Sequence, residues 1–150
     1  MNKKIVILYH KNCTDGFGAA WAGWKKFKNK AEYIAVDPQI LPKKRIINKD
    51  IYILDNCYPK QILEKLKKDN KKVIVIDHHI SNKEIIKNAS AYVFNNNHSG
   101  AVLAWKYFNP NKKTPILLRY IEDQDLWNFK IRNTRDINAL SFSRNTFTTK

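Results

Sequence analysis

Three short apolar runs each stop at a side chain able to hold a metal or move a proton. Ile5-Val6-Ile7-Leu8-Tyr9 stops at His10, Ile51-Tyr52-Ile53-Leu54 at Asp55, and Val73-Ile74-Val75-Ile76 at Asp77. Near-continuous apolar strands of this length suit a parallel sheet covered on both faces. Ligands in such sheets bind outside the carboxyl ends of the strands. The third run leads straight into Asp77-His78-His79, a carboxylate and two imidazoles where a strand would end. That arrangement points first to metal-assisted hydrolysis.

Helical spacing lies between the runs. Phe17, Ala20, Trp21, Trp24 and Phe27 recur with it after Gly16, and Ile62, Leu63 and Leu66 after Pro59, which suits a first helical turn. Ala31–Val36 and Ala91–Phe94 read as further strands. Ser99 is an N-cap for a helix carrying Ala101, Ala104, Trp105 and Phe108, which Asn109-Pro110 ends. A last helix over about 115–121 runs into Glu122-Asp123-Gln124-Asp125. The alternation predicts an α/β fold, a doubly wound, mostly parallel sheet with helices on both faces. Trp21, Trp24, Trp105 and Phe17 fall on apolar helix faces and are expected in the core. Trp127 and Phe129 are less regular, and core is preferred for them over base stacking. The segment from Arg132 onward is polar and weakly patterned. One catalytic domain over 1–144 is expected, with 145–150 as a flexible tail.

The formal net charge of +15 attracts phosphate-rich partners such as nucleic acid or nucleotides. The lysines are scattered without one long basic block, so a general abundance of Lys and Asn explains the excess equally well. Cys13 and Cys57 have neither CxxC nor zinc-knuckle spacing, and read as reduced thiols in a cytoplasmic protein. The first apolar run is too short for a signal-peptide core, and no stretch approaches membrane-spanning length.

His10, Asp15, Asp55, Asp77, His78, His79, Asp123 and Asp125 all fall at or just beyond the ends of apolar elements. On one sheet edge so many carboxylates would repel each other unless cations sat among them. Two divalent ions resolve that and supply the usual machinery of phosphoryl chemistry. Mixed imidazole and carboxylate ligands favour Mn2+, with Mg2+ or Fe2+ as alternatives. Neighbouring side chains on an extended segment point apart, so His78 and His79 divide between metal and substrate. Simpler readings stand beside these. Asp55 can cap the helix at Pro59, and Asp123 and Asp125 can form an acidic helix end on the surface. His98-Ser99-Gly100 can be only a helix start, although its backbone N–H groups would cradle a phosphate if they face the site.

The chain resembles the DHH phosphoesterase superfamily, which includes RecJ-like exonucleases, oligoribonucleases, manganese pyrophosphatases and an exopolyphosphatase-related branch. The residues that carry the resemblance begin with the stretch from His10-Lys11-Asn12-Cys13-Thr14-Asp15-Gly16 to Trp21. Asp55-Asn56-Cys57-Tyr58-Pro59, Asp77-His78-His79, Asn97-His98-Ser99-Gly100-Ala101 and the stretch from Tyr120 to Trp127 follow in order. The resemblance implies that His10 and Asp15 bind the first metal and that Asp55 bridges both. It implies His78 and Asp123, or alternatively Asp125, on the second metal. His79 would touch the substrate phosphate and Asp77 would orient the histidines; Ser99 and Gly100 are read as further substrate contacts from the helix start they form. The implied reaction is hydrolysis of a phosphoester or phosphoanhydride by a metal-bridging hydroxide, and the basic surface best fits a phosphodiester in short oligonucleotides or single-stranded ends. Hydrolysis of pyrophosphate or polyphosphate, and an inactive binding module, are the rival readings.

Two departures from the family pattern stand out. Many members carry a second aspartate two residues after the first, where this chain has Phe17, so the second metal is expected to be held differently. The family usually adds a C-terminal substrate-binding domain with a glycine-rich motif, and this sequence has only Gly16, Gly18, Gly23 and Gly100. Substrate binding is therefore expected to draw on the catalytic domain, a homodimer partner or a separate chain.

Overall fold

A computed structural model of the chain describes residues 3–143, with side chains described to residue 139. The expected tail, 145–150, lies outside the described residues. Five strands form one all-parallel sheet: β1 (Ile5–His10), β2 (Ala31–Val36), β3 (Asp50–Leu54), β4 (Lys72–Asp77) and β5 (Ala91–Phe94), in the order β2-β1-β3-β4-β5. The helices are α1 (Thr14–Phe27), α2 (Lys60–Asp69), α3 (Gly100–Phe108), α4 (Ile116–Asp125) and α5 (Thr134–Ser143). The expected α/β architecture is the one observed.

The period-2 alternation of the strands divides the core in two. Ile7 and Tyr9 of β1, Leu54 of β3, and Ile74 and Ile76 of β4 pack on one face against α1, α3 and α4. Val6 and Leu8, Ile51 and Ile53, and Val73 and Val75 pack on the other against Leu63 and Leu66 of α2. The second face is more lightly covered. β2 reaches β3 across β1 through a helix-free loop, tied down where Asn70 Nδ2 donates to Ile46 O at 3.0 Å. β4 reaches β5 through two short 3-10 turns, Ile80–Asn82 and Ile85–Asn88. Among the described residues no helix is long and apolar enough to cross a membrane.

This strand order places a topological switch point between β1 and β3, where successive connections leave in opposite directions. The crevice there, beyond the carboxyl ends, is the default ligand position in such a sheet. His10 ends β1 and Asp55 follows β3 at that spot.

Several expectations need correction. α4 continues through the acidic stretch to Asp125, so Asp123 and Asp125 sit on a helix and point to different sides of it. The polar segment after Arg132 forms α5, which α4 supports. Trp105 is core and stacks on Trp21 at 5.5 Å, but Phe17 and Trp24 are only half-buried, and the Lys28 ammonium lies 3.8 Å over the Trp24 ring. Trp127 is 80% exposed.

Candidate metal centre

Asp55 is the hub. It sits in the left-handed backbone region (φ 52°), uncommon for a residue with a side chain, and its carboxylate is buried. His10 Nδ1 lies 3.3 Å from Asp55 Oδ2, and His78 Nε2 lies 3.3 Å from Asp55 Oδ1. The same His78 nitrogen is 3.6 Å from Asp15 Oδ2 and 3.5 Å from Asp125 Oδ2. Four loops or helix ends thus bring His10, Asp15, Asp55, His78 and Asp125 to one point above the switch.

Asp15 is held there by α3. Gly100 N donates to Asp15 Oδ2 at 2.6 Å and Ala101 N to Oδ1 at 2.9 Å. The helix N-terminus does cradle an anion, but the anion is the chain's own Asp15 carboxylate. This corrects Ser99 and Gly100 as substrate contacts. Ser99 is fully buried and caps α3, its hydroxyl oxygen accepting from Val102 N. Two glycines permit this closeness. A Cβ on Gly16 would overlap the His10 carbonyl oxygen, and one on Gly100 would lie 2.8 Å from Asp55 Cβ.

Asp77 and His79 form a second layer. Asp77 is fully buried, and its Oδ1 accepts from His78 N at 2.9 Å and pairs with His79 Nδ1 at 2.7 Å. Asn82 Nδ2 donates to its other oxygen at 2.6 Å. With both oxygens engaged, Asp77 positions the histidines. His79 is 45% exposed, and its Nδ1 is the nitrogen on Asp77. Sequence reasoning missed Asn82, since an asparagine in a polar turn carries no distinctive signal. His98 pairs through Nδ1 with Glu122 Oε2 at 3.0 Å, an anchor between α3 and α4 outside the cluster.

Asp123, expected as the last ligand, lies outside the centre. Its carboxylate accepts from Lys130 N at 2.8 Å, Ile131 N at 3.0 Å and Thr134 Oγ1 at 2.5 Å, closing the loop that leads to α5. Asp125, two residues on and so about 200° around the helix, takes the inward place.

The electrostatics follow from burial. Burial pushes the Asp15 carboxyl well up, and Asp55 and Asp125 nearby push it further; burial also raises Asp125. Burial opposes charge on Asp55, yet His10 and His78 outweigh it and hold Asp55 at about 2. Burial alone would lower His78, but the carboxylates of Asp55, Asp15 and Asp125 push it up to about 9. The Asp55 partner raises His10, and the Asp77 partner raises His79. Burial pushes the Cys13 thiol, beside His10, up to about 12, which leaves it protonated at neutral pH.

The donor set fits divalent cations. Asp55 Oδ1, His78 Nε2 and Asp125 Oδ2 are buried and have no hydrogen-bond partner among the described residues, although they point at one another. Such orphans are costly unless something positive lies between them. Among the described residues, three groups have ligand atoms close enough to hold an ion: Asp15, His78 and Asp125; His10, Cys13 and Asp55; and Asp55, Asp77, His78 and His79.

Comparisons with known proteins bear on the family and the fold. The chain is 31% identical over 148 residues to an uncharacterized protein of Acanthamoeba polyphaga mimivirus, covering 87% of this chain and 35% of that protein. A crystal structure of an uncharacterized protein from Helicobacter pylori superposes with a TM-score of 0.70 at 13% identity, covering 94% of this chain and 49% of the other. That second likeness shows the fold alone. The chain thus spans about a third of its viral relative and half of the structural one. The sequence profile of the DHH family N-terminal domain matches residues 4–126, a range running from β1 to the far end of α4 and enclosing every side chain of the cluster. By that match the chain belongs to the DHH family, a family of metal-dependent phosphoesterases.

Proposed function

We propose that this chain is a divalent-metal-dependent phosphohydrolase cleaving a phosphodiester in short oligonucleotides or single-stranded nucleic acid ends. The observation that carries the reading is the convergence of Asp55 Oδ1, His78 Nε2 and Asp125 Oδ2, buried and unpartnered, at the switch point of the sheet. His10, Asp15, Asp55, His78 and Asp125 would hold two ions, Mn2+ by preference for so mixed a donor set and Mg2+ as the alternative. Bound there, divalent cations would neutralise the carboxylates, activate water and stabilise charge on the phosphate.

The chain's own groups do the rest. The α3 N-terminus keeps the Asp15 carboxylate in place through two backbone N–H bonds. Asp77 accepts from His79 Nδ1, which leaves Nε2 for the substrate; with the ring protonated, Nε2–H would donate to a phosphate oxygen or to the leaving oxygen. The Asp77 partner raises the His79 pKa and so favours that protonated form. A net charge of +15 draws in polyanions. Further substrate-binding surface from a second copy or a separate chain belongs to this proposal, as does a reducing, cytoplasmic setting for the free Cys13 and Cys57.

One observation favours a smaller substrate as the second reading. A polar cavity of about 180 Å³ beside His10 and His79 carries Asn56, whose Nδ2 is buried without a partner. A pyrophosphate-sized anion suits it. Hydrolysis of pyrophosphate, a dinucleotide and a single-stranded oligomer with Mn2+ and with Mg2+ decides between the two. Oligomer cleavage with a steep salt dependence supports the nuclease reading, since each released counterion adds to the slope. Metal-independent turnover that survives Asp55→Ala would sink both.

A further inference from the structure

A cavity of about 790 Å³ lies between the metal cluster and the loop that joins α4 to α5. His10 and Asp125 of the cluster line it together with Trp127, Phe129, Arg135 and Asn138. Its size is that of a small-molecule site rather than of a single phosphate. Trp127 is the most exposed large apolar side chain described, at 80%. Its indole meets the Phe129 ring edge-on at 5.7 Å, and the Arg135 guanidinium lies 4.5 Å over the Phe129 ring.

The chain holds these aromatics outward against a local cost. Trp127 (φ 55°) and Phe129 (φ 47°) both occupy the left-handed backbone region, where bulky residues are uncommon. Asp123 maintains that shape: its carbonyl accepts from Asn128 N at 2.9 Å and Phe129 N at 3.2 Å, while its carboxylate grips Lys130, Ile131 and Thr134. An aromatic face kept in water beside a cationic guanidinium, continuous with a metal cluster, matches an unpaired nucleobase attached to a phosphate. Aromatic stacking with charge complementarity is how proteins bind single-stranded nucleic acid without reading its sequence.

We propose that this cavity is a nucleobase subsite in which Trp127 stacks the base next to the scissile phosphate and Arg135 faces its backbone. The proposal rests on the phosphoesterase reading and narrows its substrate class to one bearing an unpaired base. Pyrophosphate would leave the Trp127 wall unused.

The test compares a 5′-phosphorylated adenine dinucleotide with its abasic counterpart. Binding to the full chain, kept metal-free with EDTA, is followed by tryptophan fluorescence and calorimetry for wild type, Trp127→Ala and Trp127→Phe. Wild type and Trp127→Phe should prefer the intact dinucleotide by about 5- to 100-fold, and Trp127→Ala should lose that preference. Equal binding of the two ligands by wild type, or a preference kept by Trp127→Ala, overturns the subsite. So does a Trp127→Ala change that alters only the oligomeric state, which would make Trp127 a protein contact. Mn2+-dependent hydrolysis of the abasic ligand separates the two ideas. Cleavage without base preference retains the phosphoesterase and removes the subsite, whereas base preference without any hydrolysis does the reverse.

Discussion

Gly100 and Asp55 touch across the site so closely that a Cβ on Gly100 would stand 2.8 Å from Asp55 Cβ and 2.9 Å from Asp15 Oδ2. This close approach lets the α3 end donate to Asp15 while it packs against Asp55. Gly100→Ala should push α3 away from the strand ends, at a cost of about 1–3 kcal/mol as for other overpacked positions. The Gly100 N–H would leave Asp15 at the same time. Thermal unfolding should show the loss of stability, and metal titration a loss of affinity that Gly23→Ala, on the far part of α1, does not share.

Asp123 and Asp125 should fail in opposite ways. Asp123→Ala strips an acceptor from two backbone N–H groups and the Thr134 hydroxyl, destabilising the α4–α5 loop by about 2 kcal/mol or more. Asp125→Asn removes a buried charge that burial and Asp55 already disfavour, so the metal-free protein should be as stable as wild type or more so. Its metal affinity should fall by about 100-fold or more, at or above the upper end of what losing a supporting residue costs. Equal metal affinity in the two variants would refute the assignment of Asp125 to the cluster.

Protons and metal should compete for His78. In the metal-free protein its pKa is raised from 6.5 to about 9, so its contribution to stability is complete below pH 6.5 and disappears as the pH climbs through 9. Asp15 and Asp125, whose carboxyls are also raised, change stability in the same direction. Asp55, held at about 2 against an ordinary 3.8, contributes stability above 3.8 that is lost on acidification toward 2. The EDTA-treated protein should therefore lose stability between pH 6.5 and 9, by at most about 1.4 kcal/mol per pH unit for each group. Metal-loaded protein should not, because metal takes the proton's place. Calorimetry in buffers of different ionisation enthalpy should detect proton release on Mn2+ binding at pH 7.5.

The fold was legible because its strands are short, continuous and apolar, and each ends where polarity changes abruptly; β2 and β5 have the bounds that β-branched and aromatic residues suggest. The meeting of His10, Asp55 and His78 was legible for the same reason, since parallel strands must deliver all three to one edge. The choice between Asp123 and Asp125 was not, because it depends on helical phase, and the helix runs past the point where its apolar spacing stops. Ser99 and Gly100 were read as phosphate contacts from a sound rule about helix N-termini, but sequence cannot reveal that Asp15, 85 residues earlier, already occupies the position. α5 was missed since its amphipathic pattern is weak and its stability comes from Thr134, Asn138 and their bonds to α4. Trp127 was misplaced because an exposed tryptophan contradicts the usual cost of leaving apolar surface in water.

Asp77 offers the sharpest separation of positioning from metal binding. Its Oδ1 orders three partners at once, the backbone N–H groups of His78 and His79 and the His79 ring, and its Oδ2 is taken by Asn82. In Asp77→Asn the amide keeps the volume, but one end turns from acceptor to donor and the charge that favours protonated His79 is gone. His79 should then change tautomer or swing out, and its exposed nitrogen should lose the proton it would donate. Turnover should fall about 10- to 100-fold, as when other supporting partners are removed, while bound metal per chain stays near wild type. The pH-rate profile should lose its alkaline limb at lower pH than wild type, following the lowered His79 pKa. Asn82→Ala, which frees only the second oxygen, should move in the same direction by a smaller factor. Loss of metal in step with activity would instead make Asp77 a ligand.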